Sequence, residues 1–317
     1  MEQLNLIIDT YQRIILESES KLAKVKQHIY RIGTLRLILF AAGIAGIIYF
    51  WDEGRLVIGG IAAITFIPFI LLVKLHNRLF HQKDYLEKKI EINRQELQAL
   101  AYDTSAFDNG EEFINPSHLY TYDLDVFGEH SLFQYINRTA TQPGKKRLAE
   151  WMNMHLKSKA EIEKRQEAVR ELAPELEMRQ HFRVLGLLHK GKTADEEEIR
   201  NWASSPEYYR KKWYFRTLAI LIPTANAVCI GLAIVGIISF TTWGIVFASI
   251  GLFSSSFSKG ISRMQSVYGK KMLILTTYAR LIHIIEEKKM RCIALKEIKE
   301  LVGGEKQTAS QAVKRLT

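Results

Sequence analysis

The chain has 317 residues and a formal net charge of +10, with 47% hydrophobic and 25% charged residues. Its two cysteines, Cys229 and Cys292, exclude a disulfide framework and a cysteine-based metal site, which favours a reducing compartment. The charge is uneven, since residues 259–317 hold 13 Lys and Arg against 5 Asp and Glu, whereas residues 101–212 hold 17 against 19. This distribution argues against a nucleic-acid binder that is basic throughout.

The first quarter of the chain alternates amphipathic and apolar stretches. Residues 1–33 predict one amphipathic helix, because apolar side chains recur at steps of three and four. Residues 34–74 contain two apolar runs, Thr34–Trp51 and Leu56–Val73, each near the length of about 20 residues that crosses a bilayer. The polar link between the runs suits a turn, so residues 34–74 predict a first transmembrane hairpin.

Three features of this predicted hairpin fit a membrane. Gly43 and Gly46 would permit close helix packing. Arg36 lies near the start of the first run, where its side chain can reach the headgroups. Lys74 and Arg78 follow the second run, which places both ends of the hairpin in the cytoplasm.

Residues 75–102 return to an amphipathic helical pattern. Since this helix and helix 1–33 would emerge from one hairpin, we expect them to pair antiparallel as a short coiled coil on the cytoplasmic side. The alternative is that each helix packs separately on the soluble domain.

Residues 103–212 form the globular block, which opens with turn-forming residues up to Pro116. Strand signals are nearly absent from this block. Its periodicity predicts five helices, with Ser158 as the N-cap of the third. The predicted helices are Ser131–Asn137, Gly144–Met154, Lys159–Leu172, Pro174–Leu188 and Asp195–Ala203.

Residues 213–258 contain the longest apolar stretch, Thr217–Ser258, which has no charged residue and about twice the length of one membrane helix. We expect a second transmembrane hairpin that turns at Phe240–Trp243. Basic residues on both sides again place both ends in the cytoplasm. The alternative is a buried helix pair in a large soluble core.

Residues 259–317 form the basic tail. They predict a long helix over Lys259–Met290, a second over Ile293–Leu301 and the start of a third at Gln311. The last helix has no C-cap, so we expect the chain to be part of a longer one. A naturally frayed terminus is the alternative.

Catalytic motifs are missing from the sequence: it has no GxxxxGK[ST], HExxH, paired CxxC or GxSxG pattern. The stretch Gln142–Lys146 resembles a phosphate loop only superficially. His283, Glu286 and Glu287 could hold a metal on one helical turn, although a solvated helix face is the expected interpretation. The sequence therefore predicts no catalytic, cofactor or metal site in this chain.

One family resemblance arises in the globular block. Residues 139–151 read TATQPGKKRLAEW, and Ile162–Leu172 reads IEKRQEAVREL. These segments resemble the start of the core, or lever, domain of the MutS mismatch-repair family. The positions that carry the resemblance are expected to be structural, and they are Thr139, Thr141, Gly144, Lys146, Leu148, Trp151, Arg165 and Val169.

Each of these positions has a predicted structural role. The two threonines would bond the backbone between helices, and Gly144 would allow a close approach or a positive φ. Leu148 and Trp151 would anchor a core. Arg165 would reach a helix end or a carboxylate. Lys146 replaces the arginine that is usual in the family.

The predicted fold is all-α: the apolar runs predict a helical membrane protein with two transmembrane hairpins, and the resemblance implies a cytoplasmic MutS core-like domain. Membrane-inserted MutS-related proteins of bacteria resemble this layout, which implies an inner-membrane location. The family's C-terminal ATPase, with ATP and Mg²⁺, and its mismatch-reading domain have no counterpart in this sequence. Mismatch repair, DNA binding and ATP hydrolysis are therefore implications of the family alone.

Three hypotheses on function follow. The first is the core part of a membrane-anchored MutS-like protein, which would couple an ATPase to conformational change. The second is a non-enzymatic membrane scaffold or assembly module, in which helices 1–33 and 75–102 form a homodimer that cysteines on the Leu86–Ile90 face should crosslink. The third is direct DNA binding by the basic tail, with strong salt dependence.

Overall fold

A computed structural model describes residues 2–188 and 213–303 of the chain. Within these residues it is all-α, with no strand, as the sequence predicted. Short 3₁₀ turns lie at Trp51–Glu53 and Glu111–Phe113. The helices are α1 (Glu2–Tyr49), α2 (Arg55–Leu100), α3 (Leu132–Ile136), α4 (Gln142–Asn153), α5 (Lys159–Leu172), α6 (Leu176–Leu188), α7 (Trp213–Val235), α8 (Phe240–Glu287) and α9 (Ile293–Gly303).

Three of these helices are longer than the sequence pattern indicated. The breaks predicted at residues 33–34 and 74–75 do not occur, because α1 and α2 each run through them without interruption. The break predicted near residue 259 lies inside α8. A change from an apolar to an amphipathic surface alters what surrounds a helix and leaves its backbone hydrogen bonds intact. Even Pro68 lies inside α2 without ending it.

The chain divides into two compact units. One contains Met1–Val25, Gln82–Glu197 and Lys270–Thr317, and the other contains Lys26–His81 and Glu198–Gly269. The long helices α1, α2 and α8 each contribute residues to both units. We call the first the helical unit and the second the apolar unit.

In the apolar unit, α1 and α2 are long and apolar enough to cross a membrane, and their apolar stretches are almost entirely exposed. The described apolar parts of α7 and α8, Ile220–Val235 and Phe240–Leu252, are shorter than a membrane span. Exposed apolar surface on this scale is unusual for a monomeric soluble protein. It suits contact with lipid or with another protein.

The apolar parts of α1 and α2 pack closely at their glycines. A Cβ on Gly43 would lie 3.0 Å from Thr65, and one on Gly46 would lie 3.3 Å from Ile61. This confirms the expectation of close packing at both glycines. Arg36, predicted to reach the headgroups, lies 6.0 Å from the Phe69 ring centroid.

The turn between α7 and α8 lies at residues 236–239, so the prediction of a turn at Phe240–Trp243 was wrong. Gly236 has a φ of +90°, a conformation that favours glycine. The Ser239 hydroxyl then accepts a hydrogen bond from the Thr242 backbone N–H at 3.1 Å, as an N-cap does. In the sequence Gly236 lies inside the apolar stretch Thr217–Ser258, so the hydropathy pattern alone does not mark it as a turn.

Two polar contacts join the helices of the apolar unit. The Arg55 guanidinium donates to the Ala233 carbonyl at 3.1 Å and lies 5.6 Å from the Phe240 ring centroid. The Trp243 indole N–H donates to the Asn226 side-chain oxygen at 2.9 Å. Arg55 therefore holds the start of α2 next to the turn between α7 and α8.

The core of the helical unit is a small aromatic cluster beneath α4. Val126, Phe127, Phe133 and Ala149 are buried together, and Phe113, Leu148 and Met152 pack against them. The Ser131 hydroxyl caps α3 by accepting from the Gln134 N–H at 3.2 Å. This core holds the segment before α3 against the buried face of α4.

Helix boundaries in this unit differ slightly from those predicted. Helix α4 begins two residues early, because Thr141 caps it and Pro143 fits its first turn. Helix α6 begins at Leu176. Ser158 occupies the N-cap position of α5 without a side-chain cap bond. The predicted helices at 195–203 and from residue 311 lie outside the described residues.

Candidate coupling site between α3 and α4

The link between α3 and α4, residues 137–141, is closed by its own side chains, and we call it the α3–α4 corner. The Thr141 hydroxyl accepts from the Gly144 N–H at 3.2 Å and so caps α4. The Thr139 hydroxyl donates to the Asn137 side-chain oxygen at 2.7 Å. The Asn137 amide group in turn donates to the Asp108 carbonyl at 3.1 Å. These bonds fix the direction in which the chain enters α4.

Gly144 serves this corner through close approach, since its φ is not positive. A Cβ at this position would lie 3.1 Å from the Thr141 hydroxyl oxygen, tighter than most such contacts. Lys146 is exposed at the surface of α4. The structure therefore brings Thr139, Thr141 and Gly144 together and leaves Lys146 at the surface.

The remaining motif residues lie along α4 and α5. Leu148 packs against the aromatic core, as expected. Trp151 is 47% exposed, so the expectation that it anchors a core was wrong. The Arg165 guanidinium lies 4.1 Å from the Trp151 ring centroid, in place of the helix end or carboxylate that was expected. Val169 is exposed.

Trp151 and Arg165 are therefore a stacked pair that joins α4 to α5. The planar guanidinium covers the indole face, which buries part of the ring while the charge stays in contact with water. Among the motif positions, Thr139, Thr141 and Gly144 therefore lie where α3 leads into α4, and Trp151 and Arg165 join α4 to α5.

Lys145 is a buried cation that the sequence analysis missed. Only 6% of it is exposed, and its ammonium donates to Asp108 at 2.6 Å and to Glu112 at 2.5 Å. Burial lowers the pKa of Lys145, but hydrogen bonds and charge from the two carboxylates outweigh burial and raise its pKa overall. The sequence did indicate that Lys145 is buried, because at helical spacing it shares one face of α4 with Leu148, Ala149 and Met152.

An ion-pair cluster that the sequence analysis did not predict joins the α3–α4 corner to α2. The Glu96 carboxylate accepts from the Arg138 Nε at 2.7 Å and from the Arg183 guanidinium at 2.5 Å. The Arg138 guanidinium also lies 3.5 Å from the Phe107 ring centroid. Burial lowers the pKa of Arg183, and the charge of Glu96 opposes that shift. An arginine stays protonated under either influence.

Two more polar pairs join α2 to α6. The Gln180 amide donates to the Asn93 side-chain oxygen at 2.6 Å, and both residues are buried. The Tyr85 hydroxyl and the His181 Nδ1 are 2.8 Å apart. Burial, reinforced by the charge of Lys89, lowers the pKa of His181. This histidine is therefore neutral at pH 7, where it can share a hydrogen bond with the phenol.

The C-terminal end of α5 is joined to the start of α9. The Glu171 carboxylate accepts from the backbone N–H groups of Arg291 and Cys292, at 2.8 and 2.7 Å. Those two backbone bonds lower the pKa of Glu171. Lys288 also pairs with Glu175 at 2.6 Å. A carboxylate from α5 thus caps the N-terminus of α9, in the position that the helix dipole favours.

His283, the residue considered for a metal, pairs with the carboxylate of Glu287 at 3.2 Å. Within the described residues, no group of three or more potential ligands is placed to hold a metal ion. The chemistry of this region is therefore that of hydrogen bonds and ion pairs between helices.

The family comparison falls on this block. Residues 117–201 match the family model of MutS domain III, a range that contains the α3–α4 corner and continues past the described residues. This segment relates the chain to the MutS family. Neither the curated proteins nor the solved structures gave a match. The relationship therefore rests on this one segment. Two residues outside the segment contact its helices: Glu96 of α2 pairs with Arg138 and Arg183, and the backbone N–H of Arg291, in the α8–α9 link, donates to Glu171.

Proposed function

We propose that this chain is the membrane-anchored coupling part of a MutS-related protein. In this proposal the MutS domain III-like block receives movement from an ATPase in a longer protein and passes it to helices in the membrane. MutS domain III relates the chain to DNA mismatch repair or DNA binding at the level of the family. DNA, ATP and Mg²⁺ enter the proposal only through that relationship.

One observation supports coupling best: the matched block is tied by polar contacts to helices that continue into apolar stretches. Glu96 and Asn93 belong to α2, which begins in the apolar unit and ends in the helical unit. Lys288 directly follows α8, which likewise begins in the apolar unit and ends in the helical unit. Because a helix is stiff along its axis, a displacement of the block would move the apolar segments of α2 and α8.

The membrane part of the proposal is supported by composition and exposure. Two described helices are long and apolar enough to span, and α7 with the start of α8 would form the second hairpin. In lipid, interhelical hydrogen bonds such as that between Trp243 and Asn226 help to hold helices together. An inner-membrane location with both termini in the cytoplasm is the arrangement proposed.

The decisive experiment measures membrane attachment and DNA binding of the same full chain. Membranes that contain the chain are washed with alkaline carbonate, and the retained protein is titrated with a duplex carrying one mismatch and with its matched control. We expect retention in the pellet, and mismatch binding that weakens steeply with salt. If carbonate releases the chain from the membranes, the membrane anchor is contradicted. If neither duplex binds at low salt, the DNA role is contradicted.

The ATPase part is tested by reading the gene beyond the codon for Thr317. A phosphate loop encoded within the next few hundred residues is expected. Its absence would remove ATP-driven coupling and leave the anchored block as a scaffold.

A homodimeric scaffold is the second candidate, but its surface must differ from the one predicted. Leu86 and Ile90 are 6% and 5% exposed, so the Leu86–Ile90 face is buried within one chain. Leu6 and Leu16 on α1 are exposed apolar residues that could serve instead. A cysteine at Leu6 in a chain without Cys229 and Cys292 should crosslink two copies in membranes, and its failure to do so would count against this scaffold.

A further inference from the structure

The helical unit contains a cavity of about 520 Å³. Its volume lies within the range of about 300–1,000 Å³ that is usual for small-molecule sites. Most of the wall is apolar and comes from α5, α6, α8 and α9. It includes Leu172, Leu176, Phe182, Ile285 and Leu295.

One side of this cavity is strongly basic. Arg138, Arg179 and Arg183 line it, with Glu96 as the single acidic residue among the lining side chains. The sum of these formal charges is +2. Thr141 and Gly144, at the N-terminus of α4, lie in the same wall, where a helix favours negative charge.

The positive charge at this end is only partly neutralised. Arg138 and Arg183 share the carboxylate of Glu96, and Arg179 donates to the Ala173 carbonyl, which carries no formal charge. Among the lining side chains one carboxylate thus faces three guanidinium groups, so a negatively charged group in the cavity would be favoured. The wall combines a large apolar surface with a basic end that has an excess of positive charge.

We propose that this cavity binds an anionic amphiphile with a single acyl chain, a carboxylate or phosphate head on an alkyl tail. The head would lie near Arg179 and Arg183, and the tail would lie along the apolar wall. A nucleotide suits the cavity less well, because its sugar and base would place polar groups against apolar side chains. The inference concerns the helical unit alone and holds whether or not the chain crosses a membrane.

Titration calorimetry of the full chain in phosphatidylcholine nanodiscs tests the head group. Decanoate is the probe, decanol is its uncharged counterpart, and empty nanodiscs give the reference for partitioning. We expect saturable binding of decanoate and binding of decanol that is weaker by at least about tenfold, the effect of losing one charge-assisted hydrogen bond. Equal binding of the two probes would overturn the proposal.

Variants test the two ends of the cavity separately. Arg179→Gln should weaken decanoate by at least about threefold and leave decanol unchanged, while Arg170→Gln, outside the cavity wall, should alter neither. Ile298→Trp should abolish binding of both by filling the apolar part. Leu301→Trp on the same helix, at a position that is 86% exposed, is its control.

Circular dichroism separates loss of the site from loss of the fold. If Ile298→Trp unfolds, the exposed substitution Arg179→Gln still decides the result. Decanoate binding that survives both cavity variants unchanged would show that the probe lies elsewhere, and the proposal would fail.

Discussion

Lys145 and Lys146 are adjacent lysines of α4 in opposite surroundings. Lys145 is buried between Asp108 and Glu112, with its ammonium 5.5 Å from the Phe113 ring centroid, whereas Lys146 is exposed. A buried ammonium is tolerated only when carboxylates and hydrogen bonds replace its water. Lys145 therefore joins the loop before α3 to the aromatic core, and Lys146 is free to vary.

Substitution of each lysine by methionine should separate these roles. Lys145→Met leaves two carboxylates without their shared partner and should lower the free energy of unfolding by about 1–3 kcal/mol. Lys146→Met should change it by less than about 0.5 kcal/mol, as surface substitutions usually do. Urea unfolding of the two variants measures both values. A Lys145→Met variant as stable as wild type would show that the ion pairs contribute nothing.

Glu171 should make the attachment of α9 depend on pH. Its pKa is lowered by the N–H groups of Arg291 and Cys292, so its stabilising effect is present above the ordinary carboxyl pKa of 4.5. The effect is lost as the pH falls through the lower folded-state value. The melting temperature of Glu171→Gln should therefore lie below that of wild type at pH 7, and the difference should disappear once the pH falls below the folded-state pKa of Glu171.

The control for this measurement is Glu163→Gln on the same helix. Glu163 is exposed and makes only a surface pair with Lys159 at 3.7 Å, so its removal should leave the melting temperature unchanged at any pH. A difference between Glu171→Gln and wild type that does not shrink as the pH falls below 4.5 would mean that charge on Glu171 is not its cause.

At the scale of helices, the sequence predicted most of the elements and misplaced several of their ends. Residues with short-range partners were predictable, as Thr141 shows, because its cap bond reaches only three residues along the chain. The length of α1 was not predictable, because the change in surface pattern at residue 33 resembles the end of a helix although the helix continues to Tyr49. Helix propagation needs no break where every residue keeps its backbone hydrogen bond.

The contacts of the candidate site were the least predictable part. Glu96 meets Arg138 and Arg183 across 42 and 87 residues of sequence. Nothing local in a glutamate within an amphipathic helix indicates such partners. Trp151 shares a helix face with Leu148, which predicts a core position, but its ring packs against the Arg165 guanidinium and stays half-exposed. The family motif pointed to the right segment, and tertiary structure decided what each residue does.

Gly236 tests the corrected turn between α7 and α8. A Cβ there would lie 2.7 Å from the Arg55 guanidinium, at a φ of +90° that other residues rarely adopt. Gly236→Ala should therefore destabilise the chain by about 1–3 kcal/mol. Gly231→Ala, inside α7 with nothing within 4 Å, should be neutral or stabilising by up to about 1 kcal/mol. Thermal unfolding in detergent measures both, and equal melting would place the turn elsewhere.

At the scale of the whole molecule, two kinds of surface share the same continuous helices. The apolar unit exposes side chains such as Leu56 and Ile64, while the helical unit is held by ion pairs between helices. An ordinary soluble core would bury such apolar residues, and a simple membrane anchor would need no network around Glu96. The combination supports the proposal that a folded block acts on helices that lie in another medium.

We propose a topology for the chain from the charges that flank its apolar stretches. Both ends of the first apolar pair are flanked by basic residues such as Arg31 and Lys74, which favours a cytoplasmic position for both. The link at Asp52 should then lie on the far side of the membrane, and Ser117, in the matched block, should lie in the cytoplasm. Both positions are exposed and suited to labelling.

Cysteine labelling should distinguish the two sides. In a chain with Cys229 and Cys292 replaced by serine, Asp52→Cys should react with a membrane-impermeant maleimide added to sealed bacterial cells stripped of their outer layer. Ser117→Cys should react only after the membrane is opened. Because an impermeant reagent cannot cross lipid, labelling of Ser117→Cys in sealed cells would place the matched block outside. Equal labelling of both only after lysis would mean that the first apolar pair does not cross the membrane.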